Sequence, residues 1–147
     1  MLVYNSTDNK VTTVSMSLTR EFPNWTYYSF VWSQSTKSLF FLVGGGKTTH
    51  GSSSPPLFWE YSPLTKSWIG LQLSGSLPSP SNSSCLVSVH NSNKIIIFGG
   101  RRGDALLGDL HILDVRTRIW TQECGVGPND NRAGMACSVA GENFVVW

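Results

Sequence analysis

One apolar run recurs along this chain and limits its folding choices more than anything else. Leu39-Phe40-Phe41-Leu42-Val43-Gly44-Gly45 returns 55 positions later as Lys94-Ile95-Ile96-Ile97-Phe98-Gly99-Gly100. A third copy opens at Asn143-Phe144-Val145-Val146-Trp147. A module of this size cannot bury its own hydrophobic face, so copies must stack on one another. Stacked all-β modules with a period near 50 residues make a propeller.

The remainder of each repeat follows in a fixed order. After the glycines come an alternating strand, a polar turn and a Trp: Phe58 to Trp68 in one copy and Leu110 to Trp120 in the next, the two Trp lying 52 apart. Tyr4 to Val11 fits the same turn, with Tyr4 aligned to Tyr61 and Val11 in the Trp position, both displaced by 57. Ahead of each apolar run stands another strand candidate, Thr26 to Trp32, Cys85 to His90 and Gly134 to Val139. The expected fold is therefore all-β, a partial β-propeller of four-stranded antiparallel blades with Ser, Asn, Gly and Pro in the turns. Full blades are expected at 24–74 and 82–126. Residues 1–18 supply the last two strands of an earlier blade, and 133–147 the first two of a later one.

The diglycine after the second strand, with a Tyr and Trp about six residues apart around the next hairpin, resembles the Kelch repeat. The best match runs from Ile95 to Trp120, with Gly99, Gly100, Asp109 and Trp120 in family positions. The first copy, carrying Gly44, Gly45, Tyr61 and Trp68, is looser, having three glycines and a Pro-rich loop. The segment from Arg132 to Trp147 is also similar to propellers of the attractin and muskelin-like group, which includes membrane-anchored fungal proteins. The resemblance implies structural roles for these residues. The diglycine ends a buried strand and lets the chain take positive φ under close approach, while the Trp side chains fill the space between blades. About three blades of sequence fall short of the four to eight that close a ring. Either further sequence at both ends or several chains must supply the remainder, and the expectation is the first, a piece of a larger propeller, because both termini interrupt a repeat.

Composition removes several function classes. Six Trp and 40% hydrophobic residues exclude a disordered chain. With 11 Lys and Arg against 9 Asp and Glu, net charge is +2, no run of five like charges occurs, and no electrostatic footprint for nucleic acid exists. No stretch approaches the apolar length of a membrane-spanning helix, so this segment is not expected to insert.

Catalytic signatures fail on inspection. Val43-Gly44-Gly45-Gly46-Lys47-Thr48 imitates the end of a P-loop, but Phe41 stands where its first glycine belongs and Ser-Ser-Ser-Pro-Pro follows in place of a helix. His50, His90 and His111 lack metal-ligand spacing and read as surface or edge-strand residues. No GxSxG is present. No catalytic residue, metal or cofactor is expected. Cys85, Cys124 and Cys137 lack CxxC spacing. Cys85 and Cys137 lie in apolar segments and read as buried thiols, with at most one internal bridge, and Cys124 reads as the more exposed.

In a four-stranded meander, the loops after strands two and four emerge at one end of the blade. That end is the candidate binding face, because loops on a rigid scaffold carry function. Its loops are Gly46 to Pro56, Arg101 to Gly108, Leu77 to Ser81 and Gly127 to Arg132, holding Lys47, His50, Arg101, Arg102, Asp104, Asp130 and Arg132. The expectation is a non-enzymatic scaffold that binds a protein or glycan there. Two alternatives stand beside it: part of a galactose-oxidase-like copper enzyme, and the client-recognition domain of an intracellular adaptor. Asn5, Asn24 and Asn82 head N-glycosylation sequons in or beside turns, which tips the expected location toward an ectodomain, with the cytoplasm as the alternative.

Overall fold

The computed structural model describes residues 2–5, 7–13, 28–43, 58–79, 81–124 and 131–147, and among these every regular element is a β-strand. The first full sheet contains β3 (Tyr28–Ser33), β4 (Ser38–Val43), β5 (Phe58–Ser62) and β6 (Ser67–Gly70), in that order and antiparallel throughout. The second contains β8 (Cys85–Ser88), β9 (Lys94–Arg102), β10 (Ala105–Asp114) and β11 (Ile119–Glu123), again in chain order. Two hairpins flank them, β1 (Leu2–Asn5) with β2 (Lys10–Thr13), and β12 (Cys137–Ala140) with β13 (Asn143–Val146). This is a partial β-propeller of antiparallel meanders, which we label by strand a to d within each blade.

The second sheet has a fifth member that alternation could not reveal. Ser74–Gly75 forms β7, which runs parallel to β11, pairing Ile119 with Ser74 and Trp120 with Gly75. The chain thus leaves the first sheet at its outer strand and clips onto the outer edge of the second. It then crosses inward to start β8.

Turn geometry repeats with the sequence. The hairpins between strands c and d place Asn9, Lys66 and Arg118 at φ of 54°, 55° and 62°. Each lies five residues after Tyr4, Tyr61 and Leu113, and these pair with Val11, Trp68 and Trp120 respectively. In the second blade the turn is held by Asp114, whose Oδ1 accepts from the Arg116 and Thr117 amides at 2.9 and 3.0 Å. Those amides, that of Thr117 foremost, hold its carboxyl below the usual carboxylate range.

Side chains alternate between two faces of each sheet. Ile95, Ile97, Leu113 and Trp120 of the second sheet pack against Phe40, Leu42, Phe58 and Leu71, the first sheet contributing its own buried face. Phe58 meets Trp120 edge-on at 5.6 Å. Burying side chains of this size contributes about 1.5–3 kcal/mol each, so this inter-blade layer is the principal core. Phe41, Val43, Trp59, Tyr61 and Trp68 form a second cluster on the opposite face of the first sheet.

Cross-strand partners correct the repeat register. Leu39 pairs with Tyr61 and Ile95 with Leu113, so Leu39 corresponds to Ile95, a displacement of 56 where the diglycine alignment gave 55. A one-residue slip exchanges the two faces of a strand. The runs are apolar on both faces, so periodicity alone could not set the register.

Candidate functional site

The diglycine does not end its strand. β9 continues through Gly99 and Gly100 to Arg102, and a tight Gly103-Asp104 turn leads directly into β10, with Arg102 paired to Ala105 and Leu106 to Arg101. The open loop expected over Arg101 to Gly108 is instead a hairpin tip. Arg101 and Arg102 are strand residues, because the backbone groups of Arg101 find partners on both sides.

Those partners come from the loops between blades. The Asn82 amide donates to Arg101 O at 2.9 Å, and the Arg101 amide donates to Asn82 O at 2.8 Å. On the other side the Gly100 amide donates to Arg132 O at 2.9 Å, and the Arg132 amide donates to Leu107 O at 3.0 Å. The tip of one blade is therefore clamped between the connection that enters it and the connection that leaves it. This brings Arg101, Arg102, Asp104 and Arg132 to one end, as the meander predicts.

Glycine is required at the clamp. Gly99 and Gly100 have φ of 62° and 110°, and a Cβ on Gly99 would lie 2.6 Å from Arg132 O, while one on Gly100 would lie 2.7 Å from Ser81 Oγ. The close approach anticipated from the diglycine is real, but the approaching groups are inter-blade loops. Gly99 also sits opposite a bulge, where pairing jumps from Leu107 to Leu110 and sets Asp109 out of register, exposed.

At the tip, Arg101 folds back on its own turn. Its Nε donates to Gly103 O at 2.8 Å and its Nη2 lies 3.2 Å from Asp104 Oδ1. An exposed pair of this kind contributes about 0–1 kcal/mol; its consequence is a defined orientation. Arg102 Nη1 reaches Ser79 Oγ at 3.3 Å. Beneath lies a cavity of about 10 Å³ bordered by Ser79, Ser81, Asp109 and His111, room for about one water. His111 is buried, not a surface residue: its Nδ1 donates to Ser76 O at 2.8 Å and its ring meets Trp120 edge-on.

Lys47, His50, Asp130, Gly44, Gly45 and Asn24 lie outside the described residues. Tyr61, Trp68 and Trp120 are buried, as their structural role requires. Asn5 closes β1, and Asn82 is half-buried in the clamp, its Oδ1 without a donor among the described residues. Cys85 and Cys137 do not remain thiols. They form a disulfide between strands a of neighbouring blades, with Cα atoms 6.1 Å apart, and Cys124 is free and exposed. Their separation of 52 residues, one repeat, was the available signal, since residues one period apart fall on equivalent strands of adjacent blades. The clamp residues Ser79, Ser81 and Asn82 had no such signal.

The family model described as the KLHDC2/KLHL20/DRC7 Kelch-repeats domain matches residues 1–147. The chain belongs to the Kelch-repeat family. Two curated plant relatives are also similar, the acyl-CoA-binding domain-containing proteins 5 and 4 of Arabidopsis thaliana, each 34% identical over 83 residues. The match covers 56% of this chain but 13% and 12% of those proteins, so what their names say they bind stays with them. A Kelch-repeat domain is a protein-binding type of propeller scaffold, and the antiparallel blades of this chain are repeats of that kind.

Proposed function

We propose that the end of the propeller carrying Arg101, Arg102, Asp104 and Arg132 binds a protein segment rich in carboxylates, without catalysis. The observation that supports this most is the clamped hairpin. A tip fixed by backbone bonds to both inter-blade loops presents Arg101 and Arg102, both exposed, with little ordering left to be lost on binding. Arg suits such a site because its planar fork matches a carboxylate in two-point contact. The described charges here are three Arg against Asp104 and Asp109, a cationic balance that favours an acidic partner over a neutral glycan.

Selection of a random peptide library on the immobilised chain tests the reading. Acidic peptides are expected to enrich, and Arg101→Glu with Arg102→Glu is expected to weaken the selected peptides at least tenfold by calorimetry. Selection of peptides indifferent to both substitutions, or binding confined to glycans on an array, would overturn it.

A further inference from the structure

The two arms of the clamp are joined to each other as well as to the tip. One arm runs from Asn82 into β8 and the other from Arg132 into β12. They lie side by side, because β12 packs beside β8. Two ties cross between them. The Gly134 amide donates to Ser83 O at 2.9 Å, and just beyond that bond Cys85 is bridged to Cys137. Ser83 and Gly134 are both exposed, so their single hydrogen bond competes with water and contributes little. The disulfide is the covalent tie, three residues after Asn82 and five after Arg132.

The Asn82 arm is also anchored to the first blade, since Ser29 Oγ of β3 donates to Ser84 O at 3.1 Å. The bridge extends that anchorage to the Arg132 arm. In turn the Arg132 backbone satisfies the Gly100 amide and the Leu107 carbonyl of the hairpin tip. A covalent path thus runs from the bridge, through five residues of the Arg132 arm, to the underside of Arg101 and Arg102. What the bridge adds is tether and not core. Phe98 still meets Phe144 at 6.2 Å, and β8 still pairs with β9, whether or not the sulfurs are joined.

A bridge of this kind opens by thiol exchange, and access decides which sulfur is attacked. Cys85 is 4% exposed, whereas Cys137 is half-buried. A thiolate of a dithiol reductant therefore attacks Cys137 Sγ. A mixed disulfide forms, the bond between Cys85 and Cys137 breaks, and Cys85 leaves as a thiolate that takes a proton from water. The second thiol of the reductant then displaces Cys137. The two cysteines gain two electrons and two protons, and the dithiol is oxidised to its own disulfide.

We propose that the bridge between Cys85 and Cys137 is a redox latch on the Arg101 tip. Closed, it holds the Arg132 arm against the Asn82 arm and keeps the hairpin tip in one geometry. Opened by a dithiol, it lets the Arg132 arm drift, and the Gly100 amide and Leu107 carbonyl exchange their partner for water while the blades stay stacked. The consequence for binding rests on the acidic-segment reading above: a tip that must be ordered again on contact gives up affinity.

Amide hydrogen exchange, read residue by residue by NMR on residues 1–147 carrying Cys124→Ser, tests the latch with no ligand present. On adding a dithiol, the amides of Gly100, Arg101 and Arg132 should lose protection by about tenfold or more. The amides of Leu71 and Arg118, which donate to Phe58 O and Asp114 O away from the clamp, open locally and should stay within a factor of about two. Unchanged protection at the three clamp amides overturns the latch. Equal loss at all five overturns it too, because the bridge would then support the fold in general. Cys85→Ser with Cys137→Ser, in the same background, should reproduce the reduced profile and ignore the dithiol; a response of that variant refutes the assignment to this bridge. An acidic peptide selected on the oxidised chain should bind the reduced chain about tenfold more weakly, and equal affinity in the two states overturns the latch as a control of binding. Failure to select any acidic peptide refutes the acidic-segment reading alone, and the exchange profile decides the latch in that case as well.

Discussion

Two glycines of the same blade share one left-handed φ and differ in what surrounds them, which makes a controlled experiment. Gly99 and Gly103 both have φ of 62°. A Cβ at Gly103 meets nothing within 4 Å, whereas one at Gly99 meets Arg132 O at 2.6 Å and Met135 Cε at 2.7 Å. Alanine at either position costs about 1–2 kcal/mol for the left-handed conformation, and the gain from a stiffer unfolded chain is common to both. Gly99→Ala adds a collision with a carbonyl already engaged by the Gly100 amide, for which overpacking costs of about 1–3 kcal/mol are the guide. Gly103→Ala should therefore lose about 1–2 kcal/mol and Gly99→Ala about 2–5 kcal/mol. With a urea slope of about 1–3 kcal/mol per molar, the two midpoints should differ by about 1 M at matched protein concentration. Equal midpoints would refute the clamp, because they would mean that the loop carrying Arg132 does not rest on the diglycine.

Trp120→Ala should destabilise by about 3–5 kcal/mol, since the ring is 2% exposed in the inter-blade core, whereas Leu64→Ala, 93% exposed on a turn, should stay within about 0.5 kcal/mol; thermal melts distinguish them. Removing the bridge with Cys85→Ser and Cys137→Ser should cost about 4 kcal/mol for a loop of 52 residues, and a reductant should lower the melting temperature of the parent but leave this variant unmoved. Because the Asp114 carboxyl is held below its ordinary 3.8 in the folded chain, it adds stability that is complete above that value and lost as pH falls through the folded pKa. Asp114→Asn should therefore reduce the stability difference between about pH 6 and about pH 2, measured by denaturant titration.

What the sequence disclosed and what it concealed divide along a physical line. Order along the chain was legible because each feature is local: an apolar run, a diglycine, a Tyr and a Trp around a hairpin. The order of strands came out as predicted, although β9 runs past its expected end to Arg102 and β10 begins already at Ala105, and the positive φ at Gly99 and Gly100 followed from residue type. Facing was not legible. Leu39 to Val43 and Ile95 to Phe98 are apolar on both sides, and neighbouring strands cover both faces of the second sheet, so the alternation that normally orients a strand is absent. Only Leu39 opposite Tyr61 and Ile95 opposite Leu113 show which side is which.

The same distinction explains the site. Arg101 and Arg102 were expected in a loop because the diglycine before them was read as the end of its strand, yet the chain stays in strand geometry there. The reason is that the Asn82 and Arg132 backbones arrive from two other parts of the chain to satisfy it. Asn82, Arg101 and Arg132 are polar residues without periodicity, and no local pattern announces that they will meet. Repeat architecture does announce it once the period is taken as a ruler, because it brings each connection past its neighbour's hairpin tip at a fixed offset. Cys85 and Cys137, one period apart on neighbouring inner strands, are the clearest case. In a stacked fold, contacts between blades are governed by the repeat length, and long-range partners are best sought one period away.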